Sequence, residues 1–173
     1  MPVSHRLSCM AMKRFIFFLI AYFIFYALFG AESLTGKVRS VIDGNTLEIE
    51  TASREVHQIQ LAGIDSPELG QEYGEHARKH LEDLALQKNA EITLLGKDRW
   101  GNQLATVMIN GVDIRVELLR EGLAWTAERN PLPELESVKE LARQNSKGLW
   151  KQQNPTPPWV YRRQQTMMQV KGS

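Results

Sequence analysis

With 173 residues, 43% hydrophobic and 24% charged, the chain has the ordinary composition of one globular domain with additional sequence. Its 21 Lys and Arg against 20 Asp and Glu exclude a chain basic enough to grip phosphate over its whole surface, although a local basic patch stays open. A single cysteine, Cys9, excludes an internal disulfide framework.

The chain begins with a segment unlike the rest. Phe15 to Phe29, FIFFLIAYFIFYALF, is a run of 15 apolar or aromatic residues, preceded by Lys13 and Arg14. Charge followed by an apolar run is the order of an export signal. Extended to Ala31 the run reaches 17 residues, the lower edge of a membrane span. Phe29 stands where cleavage after Ala31 would want a small residue. Residues 1–31 are therefore expected to be either a signal peptide or a retained membrane anchor, and the rest extracytoplasmic. From Met12 the sequence reads as a complete export signal, so synthesis is expected to begin there. Residues 1–31 hold three basic residues (Arg6, Lys13, Arg14) and no acidic ones, which leaves 18 basic against 20 acidic residues, a formal −2, in the remainder.

From Leu34 apolar and polar residues alternate. TGKVRSVID, with Val38 and Val41, and TLEIET, with Leu47 and Ile49 inward, read as strands around a DGNT turn. Val56 to Ile64 reads as a third strand. A helix is expected over about 72–87, with Ala77, Leu81, Leu84 and Ala85 on one face. AEITLLGK and LATVMI are a fourth and fifth strand, separated by the turn DRWGNQ. Short helices are expected over about 114–121, stopped by Gly122, and about 134–145, where Leu135, Val138, Leu141 and Ala142 form the apolar side. Residues 151–173 are proline-broken and polar, and read as a linker that docks through Trp159 and then frays. Five short strands with a helix between the third and fourth predict an α+β, mainly β fold: a five-stranded OB-type barrel with about three packed helices.

The stretch LAGIDSPELG, Leu61 to Gly70, ends the third strand on two carboxylates. Pro67 cannot donate to a ladder and holds Ser66 extended, so the strand stops with Asp65 and Glu68 at its mouth. These residues read either as a metal and general-base site or as a strand exit leading into a helix. VIDGNT, GIDSPE with QEYGEHA, DRWGN, LLREGLAW and KGLW, in that order, resemble the staphylococcal nuclease (thermonuclease) family over roughly residues 34–150. That resemblance implies an OB barrel and an exported, calcium-dependent phosphodiesterase acting on DNA and RNA.

Carried over residue by residue, the resemblance places the metal site on Asn45, Asp65 and the carbonyl of Ser66, and the general base on Glu68. The two arginine positions fall on Gln60 and Asn102. Such chemistry needs carboxylate oxygens for a hard cation, a carboxylate to handle the attacking water, and guanidinium forks for the charge that develops on phosphorus. Asp65 and Glu68 match the pattern. Asn45 replaces a metal-binding aspartate, and Gln60 and Asn102 replace the arginines, so weak Ca2+ binding and impaired hydrolysis are expected. AERNP carries no tyrosine where the family stacks a base, whereas Arg99 and Trp100 keep a basic and an aromatic ligand-binding group near the pocket.

Other motifs read more plainly. His76 and His80 have metal-ligand spacing but no obvious third ligand, which suits a solvated helix face. Trp125 and Trp150 read as core packing, and Tyr161 to Arg163 as a small basic patch on the tail. Three functions follow as expectations. The chain is an exported or membrane-anchored nuclease-fold protein that binds nucleic acid or a related ligand without efficient hydrolysis; or a working calcium-dependent nuclease, with Arg99 or Arg115 compensating; or a non-catalytic envelope interaction module.

Overall fold

Alternating strand residues close a barrel whose mouth carries the candidate site. The computed structural model describes residues 33–172; the expected export segment, Cys9 and the expected start at Met12 lie outside them. The strands are β1 Ser33–Val41, β2 Thr46–Thr51, β3 Val56–Leu61, β4 Ile64–Asp65, β5 Asn89–Lys97, β6 Gln103–Ile109, β7 Val112–Asp113 and β8 Trp125–Thr126. The sheet order β3-β2-β1-β5-β6 is closed by parallel pairing of β3 with β6, Ile59 to Leu61 against Gln103 to Ala105. The result is the expected five-stranded barrel. β7 extends β6, and β4 pairs with β8 as a separate ribbon.

The barrel closes over its inward-facing residues. Val38, Leu47, Ile49, Ile59, Leu61, Ile92, Ala105 and Val107 are each at most 1% exposed. On one side they meet helix α1, Gly74–Ala85, through Ala77, Leu81 and Ala85, all fully buried. That i, i+4, i+8 stripe is the amphipathic pattern read from the sequence. Helix α2, Ile114–Arg120, adds Ile114, Leu118 and Leu119, and helix α3, Pro133–Gln144, adds Leu135.

Three expectations are corrected. The third strand does not run through to Ile64. It breaks after Leu61, where Gly63 takes a left-handed φ of 79° and Ala62 N–H donates to the Ala105 carbonyl, 2.9 Å. Leu141 is not part of the buried face of α3 but is 60% exposed; Leu135 and Ala142 are buried and Val138 packs partly buried against the core. The tail does not fray after Trp159. Pro158–Gly172 is a fourth helix, α4, reached through an irregular link after a 3-10 turn at Gly148–Lys151. Among the described residues no helix is long and apolar enough to cross a membrane.

Arg115 is a structural residue that sequence reasoning misread. It is 8% exposed. Its Nε and Nη2 donate to both carboxylate oxygens of Asp113, at 3.0 and 2.7 Å, and its Nη1 donates to the Ala62 carbonyl at 3.0 Å. Asp113 also caps α2 by accepting from Arg115 N–H. The pair ties α2 to the turn that feeds β4, and so fixes the strand that presents Asp65. Committed there, Arg115 does not line the cleft around Asp65.

Candidate active site

Two glycines bring the site's loops together. A Cβ on Gly44 would lie 2.6 Å from Ser66 Cβ and 2.7 Å from Ala77 Cβ. A Cβ on Gly74 would lie 1.9 Å from the Glu68 carbonyl oxygen. Neither position has room for a side chain, so the 43–45 turn lies directly on Ser66 and Ala77, and the first turn of α1 packs backbone to backbone on the exit at Glu68. Asp43 Oδ1 accepts from Asn45 N–H at 2.9 Å, an Asx turn that shapes this corner. Ser66 Oγ donates to the Gly44 carbonyl at 2.9 Å, and Asn45 Nδ2 reaches the Ile64 carbonyl at 3.5 Å. Asn45 and Ser66 are 6% and 3% exposed. Glu68 is held at its backbone, where its N–H donates to Gln71 Oε1 and its carbonyl accepts from Gln71 N–H.

These elements open onto a cleft of about 490 Å3. Asn45, Gln60, Asp65, Glu68 and Asn102, far apart in sequence, all line it, with Asp43 and Lys97 beside them. Asn102 is committed locally. Its Nδ2 donates to Asp98 Oδ2 at 2.9 Å, while Asp98 Oδ1 accepts the backbone N–H groups of Trp100 and Asn102. Arg99 and Trp100 lie in a neighbouring cleft with Glu128, Arg129 and Arg163, about 460 Å3 in volume. The Arg99 guanidinium stacks 3.9 Å over the Trp100 ring, which is 70% exposed.

One cleft residue escaped the sequence reading. Arg162 of α4 reaches across the cleft onto both carboxylates. Its Nη2 donates to Asp65 Oδ2 at 2.7 Å, and its Nη1 to Asp65 Oδ1 at 3.1 Å and to Glu68 Oε1 at 2.7 Å. The chain entry to α4 sets this reach. Asp65 pairs with Trp125 in the β4–β8 ribbon. Trp125 packs edge-on against Trp150 and Trp159, with centroids 4.5 and 5.8 Å away. Trp159 and Arg162, three residues apart, share one face of α4. Tyr161 adds a hydroxyl bond to the Gly70 carbonyl at 3.1 Å. The YRR motif was visible in the sequence; its destination was not.

Burial raises the Asp65 pKa above the ordinary aspartate value of 3.8; Arg162 pulls against that rise, and Glu68 and Asp43 reinforce it. Asp43 is raised mainly by burial, opposed by Asn45 and Thr46 and helped by the charge on Glu68. Hydrogen bonding to Asp65 raises the pKa of Arg162, which stays charged at every accessible pH. Arg162→Gln is expected to push the Asp65 pKa higher still. A carboxyl whose folded pKa is raised costs stability at pH above that pKa and costs nothing once protonated in both states. The variant's loss of stability should therefore be largest at neutral pH and shrink as pH falls through the raised pKa toward 3.8. NMR titration of the Asp65 carboxyl, with thermal unfolding at several pH values, measures both.

As they stand, these residues do not fit a calcium ion. Both Asp65 oxygens and one Glu68 oxygen are engaged by Arg162. Asn45 offers only a neutral amide, and among the described residues no group of three or more His, Cys, Asp or Glu side chains is placed to hold a metal. His76 and His80 accordingly form no such group.

Comparison with known proteins matches this architecture. A family described as staphylococcal nuclease homologue matches residues 58–152. A protein of Escherichia coli O157:H7 described as an uncharacterized endonuclease is 36% identical over 129 residues, covering 73% of this chain and 84% of that protein. One of Haemophilus influenzae with the same description is 35% identical over 135 residues, 78% and 76% of the two chains. A Shigella flexneri protein named micrococcal nuclease is 30% identical over 140 residues, 74% and 80% of the two chains. With a closed barrel, an acidic strand exit and relatives matched over most of their length, this chain belongs to the staphylococcal nuclease family.

Proposed function

We propose that the protein binds nucleic acid, in single-stranded form, across the Asp65 cleft and the adjoining Arg99–Trp100 surface, and that its hydrolysis of phosphodiesters is impaired. The observation that carries this reading is the pair of amides, Gln60 and Asn102, lining the cleft beside Asp65 and Glu68. An amide can hydrogen-bond a phosphate oxygen, but it supplies neither the positive charge nor the two-pronged grip of a guanidinium. Asn102, bonded to Asp98, has less still to offer. Glu68 lines the cleft, and a base there would lack the donors that stabilise what it generates. Calcium dependence is general in the family; with an amide at position 45 this chain's affinity for the ion is weak.

Binding itself has support beside the cleft. Arg99, Arg129 and Arg163 surround the exposed Trp100, which combines guanidiniums for the backbone with a ring for a base. This patch supplies the local positive charge that the −2 balance of the sequence after residue 31 lacks. The export segment places the domain outside the cytoplasm, anchored through residues 15–31 or released from them.

The reading is tested by titrating the protein with a fluorescent single-stranded oligonucleotide at several salt concentrations. Affinity should fall as salt rises. Trp100→Ala should weaken binding by about 1–3 kcal/mol, tenfold or more. Absence of binding at low salt favours the third expectation, an envelope interaction module.

A further inference from the structure

We propose that Arg162 is a built-in cation that holds the place of a divalent metal, so that docking of α4 and occupation of the site by a divalent cation exclude one another. The inference rests on reading the Asp65 cleft as the functional site and adds a means of controlling it.

The geometry is that of a substitute for a cation. Arg162 is bidentate to Asp65 and also bonds Glu68. Three of the five N–H donors of a guanidinium are thereby spent on the carboxylates that the family pattern assigns to metal and base. A guanidinium serving a phosphate would turn its fork toward the open cleft. This one faces the acids, and a cation bound to Asp65 would have to compete with it, since both oxygens already accept its N–H groups and two positive charges on one carboxylate repel.

The element that carries Arg162 is built to leave. Asn154 to Pro157 connects it to the domain without regular structure. Among the described residues its hold on the body includes buried Pro158, the Trp159–Trp125 ring contact, the Tyr161 bond to Gly70, Arg162 itself and an Arg163–Glu128 pair at 3.2 Å. Beyond Arg162, Met167, Met168 and Val170 are 59 to 72% exposed, so the second half of α4 buries little. The Arg162 side chain is 47% exposed and Glu68 37%, so the bond to Glu68 is individually weak, whereas Asp65 is only 14% exposed and the fork on it is the stronger hold. Release therefore costs chiefly the fork on Asp65, the interaction that a cation bound to Asp65 would replace. A site competent for only a fraction of the time shows an affinity lowered by that fraction.

The test is calcium binding by the full-length chain in detergent, measured by titration calorimetry for the unmodified protein, Arg162→Gln and Arg162→Lys. Arg162→Gln should bind calcium about tenfold more tightly than the unmodified chain. Arg162→Lys, a point charge without the fork, should fall between them. Thermal unfolding without calcium confirms that the variants are folded. A second measurement needs no change at Arg162. Calcium should red-shift the tryptophan emission of the unmodified chain as Trp159 leaves Trp125, and the shift should be lost in Trp159→Phe. Calcium affinity unchanged or weakened in Arg162→Gln overturns the proposal, as does a site that binds no calcium in any of the three proteins. The same samples are titrated with single-stranded DNA. Tighter calcium binding without DNA binding leaves this proposal standing and removes the nucleic-acid reading; DNA binding with calcium affinity indifferent to Arg162 does the reverse.

Discussion

Asn45→Asp, Gln60→Arg and Asn102→Arg, introduced together, are expected to raise the rate of denatured-DNA cleavage in calcium by about 10⁴-fold over the unmodified chain. Each arginine would restore a charged donor pair at a position that already lines the cleft. One preorganised donor is worth about 10²–10³ in rate, and groups acting on the same charge are not additive, which keeps the sum near the lower product. Asn45→Asp changes little in volume at a 6%-exposed position and adds the carboxylate that the site lacks. The Asn102→Arg change gives up the side-chain bond to Asp98 but leaves both backbone bonds that Asp98 accepts, so the 98–102 turn should persist. Release of acid-soluble nucleotide, measured as an initial rate, reads the result. A gain below tenfold would mean that the cleft lacks something other than these three groups. Adding Arg162→Gln to the triple should increase the rate further, because the restored site then no longer competes with a resident guanidinium.

Gly74→Ala is expected to destabilise the domain by about 3 kcal/mol, lowering the midpoint of thermal unfolding by roughly 10 °C. The new methyl would meet backbone, 1.9 Å from the Glu68 carbonyl oxygen and 3.0 Å from Leu69 Cα, so no side-chain rotation can relieve it. Either α1 shifts away from the barrel, exposing Ala77 and Leu81, or the 67–71 loop moves and takes Glu68 with it. The second route also disturbs the Arg162–Glu68 bond. Gly44→Ala meets the Cβ carbons of Ser66 and Ala77 at 2.6 and 2.7 Å, which cannot rotate away but overlap less than a contact at 1.9 Å, and should cost less. Differential scanning calorimetry on both variants ranks them; equal or negligible losses would mean that the corner is looser than its packing indicates.

How much of this was legible beforehand depended on the range of each interaction. The barrel strands were readable because every second residue, Leu47 and Ile49 or Val107 and Ile109, faces the core, and period-two burial leaves a local trace. The acidic corner was readable because Pro67 and the DGNT turn act within a few residues. The break at Ala62–Gly63 was not, because the residues around it are as apolar as a strand and the turn is set by distant partners, Ala105 and Arg115. Leu141 misled because the 3.6-residue repeat places it near the buried face, while the depth of burial depends on where α3 sits. Arg115 looked like a spare cation until its two-residue neighbour Asp113 and the Ala62 carbonyl were found around it. Arg162 was least accessible. It meets Asp65 across 97 residues of sequence, through an irregular link and a contact between two tryptophans whose pairing no local pattern announces. Prolines before a polar stretch look like a fraying tail, and the docked Trp159 with the bonds of Tyr161, Arg162 and Arg163 stabilises a helix there.

The central claim, a nuclease-family cleft with impaired chemistry, is tested most directly by incubating denatured DNA and RNA with the unmodified full-length chain and with Glu68→Ala, in calcium and in chelator. The expected result is that the two proteins are indistinguishable at rates where a fully equipped family site would finish the reaction. Calcium-dependent cleavage by the unmodified chain that Glu68→Ala abolishes would contradict it, and would make this protein a working nuclease with amides at three of its site positions.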